Sequence, residues 1–338
     1  MSEPRSPVVR SAFRDRSTRL VLFGALSVAI GGICGLFGLL YVVLALTSGR
    51  LLGAETLPVD ARSYVMGAMI YFLLGGAFVW VGIGSMRKRR WVRPLMLTLA
   101  WTWMLSGASA LVLMPGLLDG TLVTSMPGSA LDETLVRVIK LGLLGAGALF
   151  GVVLPALYVL VYQDRQLRMT CEVYDPECAW TERCPSAVLG LSVGLGACGV
   201  IAVPMALRPV VPLFGWLVTG PYGAGLLLIG AGMCFWMARK IYEQLLSAWW
   251  VTTLFLTLAG VSTWATLARV EPAAWYQAMG YPEELLESMT LRSTIPSWLT
   301  VAVTLLTLVY MVGIRKHFRA SQDNRGGTNY DYHGDADS

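Results

Sequence analysis

Charge is what this chain has least of. Asp, Glu, Lys and Arg make up 14% of its 338 residues, where a soluble domain carries about 25%. Mean hydropathy is +0.61 and 55% of the residues are hydrophobic. Charge this thin, between long apolar runs, excludes an ordinary soluble domain and makes lipid the main solvent. Histidine is nearly missing: His317 and His333 both lie at or beyond the end of the last apolar run, which excludes a haem held between paired histidines inside a bundle. Lysine occurs only at Lys88, Lys140, Lys240 and Lys316, and asparagine only at Asn324 and Asn329, neither in an N-x-S/T acceptor. This arginine-rich, lysine-poor usage is that of a high-GC bacterium. No Ser/His/Asp arrangement, HExxH helix or Walker-type loop is present.

The most informative absence lies inside the apolar runs. Eight are visible: Leu20–Thr47, Ser63–Ser85, Pro94–Leu118, Val136–Tyr162, Ser186–Leu207, Phe214–Ala238, Ala248–Ala268 and Ile295–Ile314. In their interiors none carries Asp, Glu, Lys, Arg or His; Arg137 and Lys140 sit near the start of the fourth and Asp119 follows the end of the third. Ion-coupled transporters and proton pumps keep ionisable groups at mid-membrane despite the cost, so the pattern argues against that class. Each run is long enough to cross about 30 Å of hydrocarbon, and in lipid an open strand edge could not satisfy its backbone. The expected fold is all-α: a polytopic membrane helical bundle of eight transmembrane helices.

Orientation follows from the cations. With the N-terminus in the cytoplasm, 19 of the 26 Lys and Arg residues fall on inner segments and 7 on outer ones. The inner set includes the basic turn Arg87–Arg93 and the chain's end. The net charge of +5 is therefore a matter of sidedness, not a footprint for nucleic acid. The first run, 28 residues long, exceeds a signal-peptide core of roughly 7–15 and reads as an uncleaved span.

The halves around the polar segment Gln163–Pro185 resemble each other. Leu26–Gly35 aligns with Leu191–Gly199, Phe78-Val79-Trp80 matches Cys234-Phe235-Trp236, and Leu97-Thr98-Leu99-Ala100 matches Leu256-Thr257-Leu258-Ala259. A 4+4 internal repeat with an even number of spans per half is parallel. The expected organisation is a basic cytoplasmic N-terminus at 1–19, a first four-helix repeat at 20–162, a cytoplasmic connector at 163–185, a second repeat at 186–314 and an unstructured tail at 315–338.

Candidate sites are few. Cys171, Cys178 and Cys184 lie on the connector at C-x6-C-x5-C. A structural zinc site commonly contains a C-x2–4-C pair, so even with Glu172, Asp175, Glu177 or Glu182 as a fourth ligand the spacing fits poorly. A disulfide does not suit a reducing cytoplasmic side. The connector is expected instead to pack Trp180 against the bundle. Trp91, Trp249, Trp216, Trp275 and Trp298 are expected at the membrane interfaces, and Trp101, Trp103 and Trp264 in the core. Gly31-xxx-Gly35, Gly147-xxx-Gly151 and Gly190-xxx-Gly194 allow close helix approach, first for packing within the chain and otherwise for another membrane protein.

Gly82-Ile83-Gly84-Ser85 leading to Arg89-Arg90-Trp91, the Ala248-Trp249-Trp250 entry to the seventh run, and Thr181-Glu182-Arg183-Cys184-Pro185 together resemble motifs of uncharacterised bacterial multi-pass membrane proteins. The resemblance implies a bacterial inner-membrane location and no activity.

The sequence thus assigns no catalytic, cofactor-binding or metal residue and no cofactor. Its expected partners are the lipid bilayer and another membrane protein, not nucleic acid. The leading expectation is a non-catalytic membrane scaffold or accessory subunit. The alternatives are a transporter or channel for a neutral or apolar substrate, with its path between the repeats, and a lipid-modifying enzyme using Glu283, Glu284 and Glu287.

Overall fold

The computed structural model describes residues 15–47, 61–124, 133–279 and 297–327. Eight helices among them are long and apolar enough to cross a membrane, and the chain is an all-α polytopic bundle. In chain order, α1 is Ser17–Thr47, α2 Ala61–Met86, α3 Val92–Thr124, α4 Glu133–Ala148 and α5 Leu154–Gln163. A π-turn at Leu149–Val153 joins α4 to α5, so these two form the fourth span. Next come α6 Arg165–Tyr174, α7 Ser186–Met205, α8 Gly220–Tyr242, α9 Leu246–Arg269, α10 Pro272–Ala278 and α11 Ser297–Gly327.

The spans pair in sequence. α1 lies along α2, α3 along the fourth span, α7 along α8, and α9 along α11. The halves meet chiefly where α7 touches α3 and α2. Small residues set the close approaches. A Cβ on Gly31 would come within 2.7 Å of Gly75 O, and one on Gly107 would overlap Gly151 O. The π-turn sits at that second crossing and is followed at once by Pro155, whose missing N–H breaks the regular α ladder there.

The two basic turns are built alike. Lys88 and Gln244 are both left-handed, with φ of 55° and 57°. Around the first, Lys88 N donates to Ser85 O and Arg89 N to Gly84 O; around the second, Gln244 N donates to Ile241 O and Leu245 N to Lys240 O. This is the Schellman termination, which satisfies the last helical carbonyls.

Three expectations change. The sixth span does not begin at Phe214. Val210–Leu213 (β1) pairs antiparallel with Trp216–Thr219 (β2), and α8 starts at Gly220. β-branched Val210, Val211, Val218 and Thr219 pair at the open end of the hairpin, and in its two-residue turn Phe214 and Gly215 both have positive φ, the sign a tight hairpin requires. The strain at Phe214 is offset from α9: its N–H donates to Ser262 Oγ and that of Gly215 to Thr266 Oγ1. Second, the last helix continues to Gly327, beyond the expected end at Ile314, because elongating a formed helix is far easier than nucleating one; residues 328–338 lie outside the described set. Third, the connector, expected as a charged interruption between the halves, contains the helix α6 and is described next.

Candidate functional site at the connector face

One end of the bundle carries the start of α1, both basic turns and the connector, and its charges converge there. Asp164 breaks the chain between α5 and α6. Its carboxylate caps α6 by accepting from Gln166 N at 2.9 Å and pairs with Arg16 at 2.5 Å and Arg19 at 3.7 Å. From α6, Leu167, Thr170 and Cys171 point inward, spaced three and four residues apart as one helix face demands. Thr170 Oγ1 also accepts from Arg16 N.

Beyond α6 the connector grips the first basic turn. Asp175 accepts from Arg90 N at 3.1 Å and faces Arg89 at 3.7 Å. Glu182, on a single turn of 3-10 helix at Trp180–Glu182, meets Arg90 Nε at 2.5 Å, and Glu172 stands 3.8 Å from the same guanidinium and 2.9 Å from Arg168. The hydrogen bond that Arg90 donates to Glu182 holds the Arg90 pKa above its usual value. Lys88 lies 3.6 Å over the Tyr174 ring, whose hydroxyl donates to Asp15. The Ser17 N–H, first among its partners, holds the Asp15 carboxyl below its ordinary pKa. Toward the second half, Trp180 O accepts from Tyr242 OH at 2.8 Å. Trp180 is 42% exposed and its ring lies tilted against that of Tyr242, centroids 6.2 Å apart, so carbonyl and ring both make this attachment.

The three connector cysteines go to three places. Cys171 is buried in the core of the first half, with Leu20, Val92, Tyr158 and Tyr162. Cys184 is buried in the core of the second, with Val188, Trp249 and Phe318. Cys178 is exposed, its thiol 3.8 Å from Glu182. Burial pushes the Cys171 thiol up to about 11 and raises Cys184 as well, so both stay protonated. Among the described residues no group of three His, Cys, Asp or Glu side chains stands close enough to hold a metal ion.

Beneath this face lies a buried hydroxyl ladder that sequence reasoning missed. Ser85 Oγ donates to Leu20 O at 2.9 Å and receives the Tyr162 hydroxyl at 2.6 Å. Ser27 Oγ donates to Phe23 O at 2.8 Å and shares a 3.0 Å hydrogen bond with Tyr158 OH, which also lies 3.2 Å from Phe23 O. The two tyrosine rings are parallel within 4°, and Arg93 Nε donates to Tyr162 O. The pairs tie α1 and α2 to α5 with each hydroxyl satisfied, as burial in an apolar interior requires. Their signal was present, since Ser27 and Ser85 are polar residues within apolar helices, but nothing in the sequence named their partners.

The tryptophans sort differently from expectation. Trp249, expected at the interface, stands in the first turn of α9 but turns its ring inward: it is 3% exposed and donates to Met311 O at 2.8 Å. Trp101 and Trp264, expected in the core, are each 44% exposed on the bundle's outer surface, where lipid contact suits a large apolar ring. Trp103 does pack inward, edge-on to Phe78. The glycine pairs split: Gly31 and Gly151 sit at helix crossings, whereas Gly35 and Gly194 face open space. Glu283, Glu284 and Glu287 lie outside the described residues. Comparison with protein-family models, with curated proteins and with solved structures returned no match.

Proposed function

We propose that this chain is a non-catalytic scaffold or accessory subunit of a bacterial inner membrane, with both termini in the cytoplasm and the connector face inward. The observation that carries the reading is the seating of the connector. One short segment buries Cys171 in one core and Cys184 in the other, and its carboxylates neutralise Arg16, Arg89 and Arg90. A strut that fixes two four-helix units against each other suits a structural part better than a substrate gate. The inner placement rests on the Lys and Arg bias across the loops.

The same reading takes the halves as a parallel repeat, and packing supports it. At one constant spacing along the chain, buried positions coincide: Gly75 with Ala231, Phe78 with Cys234, Val81 with Met237, Ser85 with Ile241, Val92 with Ala248, Met96 with Thr252, and Tyr162 with Phe318. The left-handed pair Lys88 and Gln244 falls on that spacing too. In the first and fifth spans, packing equates Gly31, which meets Gly75 O, with Gly199, which meets Ala231 O. That is one helical turn from the sequence alignment, which set Gly35 opposite Gly199.

The test is mild extraction of the tagged chain from its own membrane with mass spectrometry of what accompanies it, followed by deletion of the chain. A stoichiometric membrane-protein partner whose assembly fails in the deletion strain supports the proposal. A chain that purifies alone and carries a neutral solute across proteoliposomes sinks it in favour of transport.

A further inference from the structure

Arg315 lies near the end of the last span, at the connector face, beside two tryptophans of the first turn of α9. Its guanidinium carbon is 5.1 Å from the Trp249 ring centre and 5.2 Å from that of Trp250. The rings stand 4.7 Å apart and are turned 79° to each other, so they form two walls of a corner. The Trp249 wall is rigid: it is buried, and its indole N–H is committed to Met311 O. The Trp250 wall is 53% exposed. Each ring face attracts a cation, and the two together hold the guanidinium in place.

What the corner lacks is an acceptor. Arg315 Nε is buried and has no hydrogen-bond partner, and among the residues whose side chains are described no carboxylate pairs with this arginine. Three other arginines of the same face do have carboxylates in reach: Arg16 has Asp164, Arg90, whose Nε is buried as well, has Glu182 and Glu172, and Arg168 has Glu172. The carboxylate of the second basic turn, Glu243, is held by Arg239 and Lys240. Lys316 follows Arg315 directly and adds positive charge. A buried donor left unpaired is costly, and a planar guanidinium is suited to two oxygens of one anion.

We propose that Arg315, walled by Trp249 and Trp250, binds the headgroup phosphate of an anionic phospholipid in the leaflet at the connector face. The site lies within three residues of the end of the apolar stretch Trp298–Phe318. At that depth the abundant anion is lipid phosphate, and tryptophan is a residue that sits at the headgroup level. The half-exposed Trp250 ring offers an apolar wall to the glycerol and upper acyl chain. This reading is independent of the scaffold proposal, since it rests on a single corner of the second half.

The test is native mass spectrometry of the full chain, delipidated in a neutral detergent and titrated with phosphatidylglycerol or phosphatidylcholine. The wild-type chain is expected to take up one phosphatidylglycerol at a concentration where phosphatidylcholine leaves it empty. Arg315→Gln should raise the concentration needed by about tenfold or more, and Arg315→Lys, which keeps the charge but loses the fork, by a smaller factor. Lys316→Gln, which removes only a nearby charge, should shift it by about fivefold or less. Uptake by Arg315→Gln equal to wild type would overturn the proposal. So would a wild-type chain with no preference between the lipids, an outcome that needs no variant to fold. Occupancy by millimolar inorganic phosphate without phosphatidylglycerol uptake would overturn the lipid assignment and leave a free-anion site.

Discussion

Replacing Arg90 with Gln should loosen the connector from the bundle without unfolding the spans. In the native chain Arg90 faces Glu182 at 2.5 Å and Glu172 at 3.8 Å, with about four-fifths of its side chain out of solvent. Exposed pairs contribute up to about 1 kcal/mol, whereas breaking a buried pair by removing one partner costs about 3–5. A pair buried to this degree, with a second carboxylate left facing the gap, falls between, at about 1–3 kcal/mol. The readout is alkylation of the connector thiols in detergent below the melting temperature. Cys178 is exposed and should react at once in both proteins. Cys171 and Cys184 react only when the connector lifts, so their rates follow the open population. At about tenfold per 1.4 kcal/mol, R90Q should speed Cys171 alkylation between about fivefold and about 150-fold. Glu182→Gln should give a smaller change, because Glu172 still faces Arg90, and the double variant should fall short of the sum. A Cys171 rate that R90Q leaves untouched, or strictly additive effects of the two changes, would refute the claim that this pair holds the connector down.

Four further outcomes follow from the same geometry. The Cys171 thiol, raised to about 11 in the fold against about 9 when free, favours the seated connector fully below pH 9; that contribution is lost as pH rises through about 11, so Cys171 protection should fall across that window and not in acid. Tyr162→Phe and Ser85→Ala should each lower stability in detergent by about 0.5–2 kcal/mol, with strong coupling in a double-mutant cycle, since they share one interhelical hydrogen bond. Gly107→Val should destabilise by about 1–3 kcal/mol or more through overpacking against Gly151, seen as aggregation on size-exclusion chromatography, whereas Gly35→Val, which meets open space, should elute as wild type. Thr266→Val removes the acceptor for Gly215 N and should hasten limited proteolysis within 210–219 by about fivefold, for a loss of about 1 kcal/mol.

The spans were legible in the chain because lipid leaves the backbone one local solution. A run of apolar residues must close its own hydrogen bonds, and that rule needs no tertiary information. The eight helices therefore fall close to the eight runs, with differences mostly at their ends. Phe214 shows where the rule stops. It continues an apolar run, yet it sits in a hairpin turn because Ser262 and Thr266, far along the chain, accept its N–H and that of Gly215. Trp249 and Trp101 make the same point about depth. Each is a large aromatic in an apolar helix, and which of them faces lipid depends on which neighbour lies across from it. The connector was visible as a charged interruption, but its composition could not say that Arg90 meets Glu182 or that Cys171 and Cys184 enter separate cores. Local composition and period determined that this chain is a membrane bundle of eight helices. Only the tertiary structure decided which polar groups meet, because a pair such as Ser85 and Tyr162 or Arg16 and Asp164 is far apart in sequence and exists only once the helices have packed.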